Sequence, residues 1–468
     1  MKNLLWLAPW LALLAARAWG MDEVQSGKLA LYEANGEPYA VIAIAAAEGR
    51  SGEVIDRVRR EGGRVDYVRK DVDYVAAVLP TARIRKFLDH SSIAAAELDN
   101  FRGRYGEALF GWETPPWSPP KTPARTDASK PATPVRNARA DWPPKPGAPN
   151  LEQPYDILKD MDGIAFRERH DGNDGRGVVI GYVEWFPDFL SPELQTALSA
   201  SGEPLPKFLD VINFPATLPT LDPQAQSIGE FWTSRFSAPM TARSRKLTHQ
   251  GKTYSVPLDG SFRVTRLAVS STDGGVQRIY DIGQKVWSEH AVLVSKQEAA
   301  AGVLISYPVL WSDRTRQAWL DTDLDGDFAD EVAVGEYRRT HELGIVGRDD
   351  PTTPVRDTIG YALQREGDRL SFNFGVGNHA SAVAGAAVAN RAPAGRIDGV
   401  APGAQLVAIS GHGNNSVATF VRGIITAFTH PDVDVVLIEG NLYLSGVYHL
   451  PRDARSVPAL ILSRLQAR

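Results

Sequence analysis

Hydrophobic positions in residues 24–112 occur as short apolar runs separated by segments with helical spacing. The runs at 39–44, 65–68, 74–79 and 93–98 are typical of strands. Between them, Ser51 can cap a helix whose apolar residues share one face, and a second short helix is expected after Pro80. The order β-α-β-β-α-β is that of the split ferredoxin-like unit. The sequence therefore predicts a small α+β domain at 24–112.

The apolar pattern of residues 153–468 predicts an α/β domain. Six of the twelve residues at 378–389 are alanine and one is glycine, so a helix there must pack very closely against neighbouring backbone. The continuous apolar runs at 178–183, 406–409 and 433–438 are typical of strands buried on both faces. We therefore expect a doubly wound parallel sheet. An insertion at about 190–370 interrupts it and is β-rich, with strands predicted at 262–269, 276–280, 291–294 and 303–309.

Length and composition narrow the class of protein. A chain of 468 residues exceeds one typical domain, and a formal charge of −5 predicts no nucleic-acid partner. The absence of cysteine excludes disulfide bonds and a thiol nucleophile. Stability must then come from packing and from any ions that the protein binds.

The N-terminus is typical of a secretory signal peptide at 1–20. Lys2 precedes an apolar stretch at 4–16, and Ala18 and Gly20 are the small residues that a signal peptidase requires. The alternative, a membrane anchor, is disfavoured because the stretch is too short to span a bilayer and contains Pro9. We expect an exported protein, periplasmic or extracellular, with no membrane attachment after cleavage.

Residues 113–152 form a proline-rich linker. Eleven prolines lie between Pro115 and Pro149, and no hydrophobic periodicity is present. An extended, exposed segment of this kind is easily cut by a peptidase. Cleavage here and a plain spacer role are both open.

Alternating carboxylates in the insertion suggest a calcium site, because calcium prefers six or more oxygen ligands around a tight loop. The twelfth position of an EF-hand loop would be Val332, with Glu331 one residue early, so the loop is not a standard EF-hand. The alternative is a solvated acidic turn between two strands. The candidate ligands are Asp321, Asp323, Asp325, Asp327 and Asp330.

Two segments carry a family resemblance, His379-Ala-Ser-Ala-Val-Ala-Gly385 and Gly399-Val-Ala-Pro-Gly-Ala404. The first resembles the His-Gly-Thr-His-Val-Ala-Gly segment of subtilisin-like serine peptidases (subtilases, peptidase family S8), and the second matches their Gly-Val-Ala-Pro-x-Ala. The resemblance implies that His379 is the catalytic histidine. Two positions depart from the family pattern, since Ala380 replaces a glycine and Ala382 replaces the second histidine.

The resemblance also implies a carboxylate that orients the histidine. In the family it follows the strand equivalent to 178–183, and Glu184 occupies that position without the usual Thr-Gly after it. Asp188 is the alternative candidate, and a third possibility is that neither residue functions. Glu184 and His379 are 195 positions apart. A gap of this length resembles that of the tripeptidyl-peptidase-II-like branch, which carries a long insertion between its aspartate and histidine.

Two further assignments follow from the resemblance alone. Glu439, Gly440 and Asn441 fall where the family binds the substrate backbone. The small domain at 24–112 resembles the propeptide that templates folding and occupies the cleft, and an unrelated binding module is the alternative. A polypeptide substrate, or the chain's own propeptide, is therefore the expected partner.

The family's nucleophile segment, Gly-Thr-Ser-x-Ala, does not occur in the 468 residues. We therefore expect residues 153–468 to be the N-terminal part of a peptidase domain, from a truncated or split gene product. The first functional hypothesis is a secreted subtilisin-like serine endopeptidase whose serine lies outside this sequence. The second is a non-catalytic exported pseudopeptidase or a peptide-binding remnant.

Overall fold

The computed structural model describes residues 23–34, 36–99, 158, 161–214, 230–270, 276–281, 286–291, 304–347, 358–375, 378–411, 416–439 and 456–468. The signal segment and the proline-rich linker that the sequence predicts lie outside these residues. No helix within the described ranges is long and apolar enough to cross a membrane.

The first unit contains the predicted β-α-β-β-α-β order, preceded by a helix that the sequence analysis missed. Its four strands form an antiparallel sheet in the order β2-β3-β1-β4. Helical side chains such as Leu29, Val54 and Phe87 pack against one face of this sheet. The elements are α1 (Glu23–Ala34), β1 (Tyr39–Ala46), α2 (Ser51–Arg60), β2 (Arg64–Arg69), β3 (Tyr74–Pro80), α3 (Ile84–Leu88) and β4 (Ile93–Leu98), with 3-10 turns at Lys70–Val72 and Thr81–Arg83.

The second unit begins with the elements that start the α/β layer. They are α4 (Gly163–Arg169), β5 (Val179–Glu184), a 3-10 turn (Pro192–Leu194), β6 (Thr196–Leu198), β7 (Pro204–Pro206) and β8 (Phe208–Ile212). Strands β6 and β7 form a small hairpin of their own, whereas β5 and β8 join a parallel sheet.

The insertion is β-rich, as expected. Its elements are β9 (Glu230–Trp232), β10 (Met240–Ala242), β11 (Lys246–His249), β12 (Lys252–Ser255), β13 (Gly260–Ser270), β14 (Val276–Asp281), β15 (Val286–Ala291), β16 (Leu304–Ser312), β17 (Gln317–Leu320), β18 (Val334–Gly335), α5 (Tyr337–Thr340), β19 (Gly344–Val346), β20 (Ile359–Glu366) and β21 (Arg369–Phe374). They form sheets β10-β13-β16-β17-β18 and β19-β20-β21-β9, plus hairpins β11-β12 and β14-β15. The strand expected at 291–294 shares Ala291 with β15, which pairs with β14 from Val286 onward, and residues 292–294 lie outside the described residues.

The last elements complete the parallel sheet. They are α6 (Asn378–Val388), β22 (Gln405–Ser410), α7 (Val417–Thr429), β23 (Val435–Ile438) and α8 (Val457–Gln466). The strand order is β23-β5-β22-β8, and every pair is parallel. Alternate side chains face opposite sides, so Leu406 and Ala408 pack with α6 while Val407 and Ile409 pack with α7. The sheet therefore has helices on both faces.

The small first unit lies against helices α7 and α8. The face of its sheet that carries Val41, Ala43 and Tyr74 belongs to the same buried cluster as apolar residues of these helices. The Tyr74 hydroxyl donates a hydrogen bond to the Ala418 carbonyl over 3.2 Å. Helix α7 is thus buried between the parallel sheet and the first unit, and α8 packs against both α7 and β1 of the first unit.

Candidate active site

Strand β5 presents two polar side chains to the start of helix α6. Tyr182 and Glu184 are two positions apart, so both lie on the same face of the strand. The buried Tyr182 hydroxyl donates a hydrogen bond of 2.8 Å to the Ala380 carbonyl in the first turn of the helix. This bond holds the helix start beside the end of β5, where Glu184 is located. Sequence reasoning missed Tyr182, because nothing in an apolar strand marks which hydroxyl will have a helical partner.

His379 and Glu184 meet at this junction. Nδ1 of His379 lies 2.6 Å from Oε1 of Glu184. The Glu184 side chain is 2% exposed, and its Oε2 accepts a hydrogen bond of 2.7 Å from the Trp185 amide. The His379 side chain is 50% exposed. A buried carboxylate thus faces one imidazole nitrogen, while the ring remains open to solvent.

The distance between the two side chains identifies the contact as a hydrogen bond. Two ligands of one Zn²⁺ ion, each about 2.0–2.2 Å from the metal, would lie about 3.3 Å or more apart in tetrahedral geometry. The 2.6 Å between Nδ1 and Oε1 is shorter and suits a charge-assisted N–H···O bond. Because the carboxylate accepts, the neutral ring carries its proton on Nδ1 and its lone pair on Nε2.

Glu439 completes a group of three ionisable side chains. It follows the last residue of β23, and its Oε1 lies 3.7 Å from Nε2 of His379. Glu184, His379 and Glu439 each offer one ligand atom within 4.8 Å of the others. The two carboxylates lie at the carboxyl ends of adjacent parallel strands, the edge at which open α/β sheets bind ligands. Gly440 and Asn441 lie outside the described residues.

Asp188, the alternative orienter, is engaged elsewhere. Its backbone amide donates a 2.8 Å hydrogen bond to Ser381 Oγ, and its Oδ1 accepts a 3.0 Å bond from the Leu190 amide. Both Asp188 and Ser381 are buried. The bond to Ser381 attaches the loop after β5 to the first turn of helix α6. The structure therefore brings Glu184 to His379 and uses Asp188 in the supporting loop.

The Gly-Val-Ala segment closes the other end of helix α6. Backbone amides of Gly399, Val400 and Ala401 donate to carbonyls of the last helical turns over 2.7–2.9 Å. A Cβ on Gly399 would come within 2.6 Å of the Val388 nitrogen and 2.7 Å of the Gly385 oxygen. The two motifs that carry the family resemblance are thus in direct backbone contact, and only glycine fits at position 399.

Lys207 ties the same end of the helix to the sheet. Its side chain is buried, and its Nζ donates to the carbonyls of Val388, Pro402 and Ala404 over 2.7–3.0 Å. Burial lowers the pKa of Lys207 to about 7, while the negative charges of Asp398 and Asp174 act in the opposite direction. In the sequence, a lysine beside the apolar residues of a predicted strand was the feature that could have indicated this contact between strand and helix.

The acidic loop lies between β17 and β18, within the insertion. Asp321, Asp323 and Glu331 form one group of oxygens within 4.8 Å of one another, and Asp323, Asp325 and Asp330 form another. Asp327 belongs to neither group, and its Oδ1 accepts a hydrogen bond from the Ala329 amide. Glu331, absent from the ligand set predicted from the sequence, is brought to Asp321 by the curvature of the loop.

Comparison with known proteins gives one match in sequence and one in structure. No family model matches the chain. Pyrolysin from Pyrococcus furiosus is 31% identical over 176 residues, which covers 30% of this chain and 12% of pyrolysin. The crystal structure of tripeptidyl peptidase 2 (TPP II) aligns with a TM-score of 0.37 and 16% identity, covering 58% of this chain and 24% of that one. The chain thus corresponds to a small part of each protein.

Proposed function

We propose, from the premise that the chain is related to the subtilisin-like peptidases, that it carries the histidine and orienting carboxylate of a serine endopeptidase site. The observation that carries this proposal is the 2.6 Å contact between His379 Nδ1 and the buried Glu184 carboxylate. A buried carboxylate paired with a half-exposed imidazole is the arrangement that general-base catalysis by histidine requires.

The proton transfers follow from this pairing. The Nδ1–H of His379 donates to Glu184, which leaves Nε2 free of a proton and able to accept one from a serine hydroxyl. The imidazolium that results is stabilised by the negative charge of Glu184. The serine attacks the peptide carbonyl, and His379 then returns the proton to the leaving amine. We propose that this serine belongs to a segment outside the 468 residues.

The substrate strand would add to the exposed edge of the parallel sheet. Within the described residues, β23 is the terminal strand and pairs with β5 on one side. An extended peptide can pair with the other edge by backbone hydrogen bonds. Its scissile bond would then lie close to Glu439 and the two residues that follow it, beside His379.

The first unit would act as a propeptide of an exported precursor. Its last described residues place two carboxylates at helix N-termini of the α/β layer. Asp99 accepts hydrogen bonds from Ser416 Oγ and the Ala418 amide at the start of α7, and Glu97 accepts one from the Val457 amide at the start of α8. Carboxylates at these positions satisfy free N–H groups and favour the helix dipoles. A unit bound in this way supports a role in completing the fold of the α/β layer.

A second candidate function is non-catalytic peptide binding. The observation that favours it is the Glu439 carboxylate, 3.7 Å from Nε2 of His379, on the side where a nucleophile hydroxyl would have to approach. In this case the sheet edge binds peptides, and the histidine contributes charge but no proton transfer.

A serine-directed fluorophosphonate probe distinguishes the two functions. The complete product of the gene, including any coding sequence downstream of Arg468, is labelled and compared with its His379→Ala variant. The serine peptidase proposal predicts labelling at a serine beyond residue 468 and a loss of about 10⁶-fold in peptide hydrolysis in the variant. Equal labelling and hydrolysis in the two proteins, or an absence of labelling in a product that contains Gly-Thr-Ser-x-Ala, would overturn it. An absence of any such segment, together with peptide binding, would favour the second function.

A further inference from the structure

The acidic loop at 321–331 contains a carboxylate whose burial is unexplained by the protein itself. Asp321 is 0% exposed, and neither of its carboxylate oxygens has a hydrogen-bond partner among the described residues. Burying a carboxylate without a partner is strongly unfavourable, and native structures rarely leave such a group unsatisfied. Either a proton or a bound cation must therefore neutralise it in the functional protein.

The neighbouring side chains do not pair with this carboxylate. Lys252 is the cationic side chain beside the loop, close to Gly326, but it makes no ion pair with Asp321 among the described residues. Its ammonium lies 5.0 Å from the centre of the Tyr254 ring. The loop thus concentrates negative charge around a buried anion.

The other carboxylates of the loop are arranged around Asp321. Oxygens of Asp321, Asp323 and Glu331 lie within 4.8 Å of one another. Glu331 is fixed in this position because its Oε1 accepts hydrogen bonds from the amide and the hydroxyl of Thr322, over 2.5 and 2.8 Å. Asp323 also forms a second group with Asp325 and Asp330, so it belongs to both groups of carboxylates.

We propose that this loop binds one calcium ion, with Asp321, Asp323 and Glu331 as its central ligands and Asp325 and Asp330 beside them. Three carboxylates on one loop suit calcium, which takes six to eight oxygen ligands at about 2.3–2.6 Å in a flexible geometry. Magnesium demands near-ideal octahedral geometry at about 2.0–2.1 Å and usually keeps several water ligands, so it is bound by fewer carboxylates. Zinc prefers nitrogen and sulfur ligands, which these three residues lack.

The position of the loop indicates what the ion would stabilise. Backbone hydrogen bonds join Ser255 at the end of β12 to Gly326 and Phe328 in the loop, over 3.0 and 2.9 Å. The Phe328 ring packs 5.6 Å from the ring of Tyr254, within a buried cluster. The Asp321 amide also donates to the Pro308 carbonyl in β16. Calcium would therefore fasten the β11–β12 hairpin to the five-stranded sheet, independently of the chemistry at His379.

Thermal unfolding with and without calcium tests the proposal. The 468-residue protein is treated with EDTA, and its Tm is measured as CaCl₂ or MgCl₂ is added, with calorimetry for stoichiometry. We expect one calcium per chain, a Tm that rises with calcium, and a smaller response to magnesium. Because Asp321→Asn removes a buried charge, this variant should lose the calcium response and yet be at least as stable as the wild type in EDTA.

Two further variants serve as a control and as a substitute in case Asp321→Asn does not fold. Asp327→Asn changes an acidic residue of the same loop outside both groups, retains an oxygen for the Ala329 amide, and should keep the calcium response. If Asp321→Asn does not fold, Glu331→Gln should fold and bind calcium about tenfold more weakly or worse, because one charged ligand is lost. A wild-type Tm that does not change with calcium would overturn the proposal. A calcium response that survives both Asp321→Asn and Glu331→Gln would do the same.

Discussion

His379 Nδ1 lies 2.6 Å from Oε1 of Glu184, although 195 positions separate the two residues along the chain. The second carboxylate oxygen accepts a hydrogen bond from the amide of Trp185, the next residue in the sequence. The glutamate side chain thus bridges its own backbone and the first turn of helix α6.

The first prediction concerns the identity of the orienting carboxylate. Glu184→Gln removes the negative charge beside His379 and permits the wrong imidazole tautomer, so peptide hydrolysis by the complete protein should fall by about 10⁴-fold. Asp188→Asn is the matched control, because an amide oxygen can still accept from Leu190. The assay is the rate of fluorophosphonate labelling and peptide cleavage. A large loss in Asp188→Asn with none in Glu184→Gln would reverse the assignment.

The second prediction concerns Tyr182, which we regard as a positioning residue. Tyr182→Phe removes the side-chain donor to the Ala380 carbonyl, which should lower the free energy of unfolding by about 1 kcal/mol. It should also slow labelling, because the start of helix α6 carries His379. Tyr337→Phe is the control, because it removes a similar buried hydrogen bond, from Tyr337 to the Phe208 carbonyl. Tyr337 lies on another helix, α5, and does not contact the start of α6 through this bond. Equal effects of the two variants on labelling would show that only general stability is involved.

The third prediction tests the close approach at the end of helix α6. In Gly399→Ala, the new methyl group would meet backbone atoms at 2.6–2.7 Å, so the backbone must shift. The free energy of unfolding should fall by about 1–3 kcal/mol. Gly52→Ala is the control, since its Cβ would meet nothing within 4 Å in helix α2, and it should be neutral or about 0.5 kcal/mol more stable. Urea unfolding of both variants measures the difference, and a neutral Gly399→Ala would contradict the packing argument.

The fourth prediction is a pH dependence that arises from Lys207. Burial lowers the pKa of this group from 10.5 to about 7 in the folded protein. Between these two pH values the unfolded chain binds more protons than the folded one, so stability from this group rises with pH. The free energy of unfolding should increase by about 2 kcal/mol between pH 7 and pH 9 through Lys207.

Lys207→Met isolates the contribution of this lysine to the pH dependence. The variant leaves three carbonyls without this donor, so it should be less stable by about 3 kcal/mol at pH 7 and by more at pH 9. Its stability should nevertheless change less between pH 7 and pH 9 than that of the wild type. Identical pH profiles would mean that Lys207 keeps an ordinary pKa in the folded state.

Much of the local structure was predictable because its causes are local. Short apolar runs gave the strands of the first unit and those around Glu184 and Ile409, since hydrophobic periodicity depends on nearby residues alone. Helix α1 was missed, and so was the start of β15 at Val286. Antiparallel pairing with β14 determines where β15 begins, and pairing is a long-range property.

The sequence by itself determined the types of residue available for chemistry: one histidine before an alanine-rich helix, two carboxylates after a strand, and a loop of alternating aspartates. Only the tertiary structure decided which of them meet. The choice between Glu184 and Asp188 depended on the direction of β5 and on the Tyr182 bond that sets the start of helix α6. The burial of Asp321 and the approach of Glu331 depended likewise on the packing of the loop against β12 and β16. Contacts between distant positions follow from how strands and helices pack, and no local pattern specifies that packing.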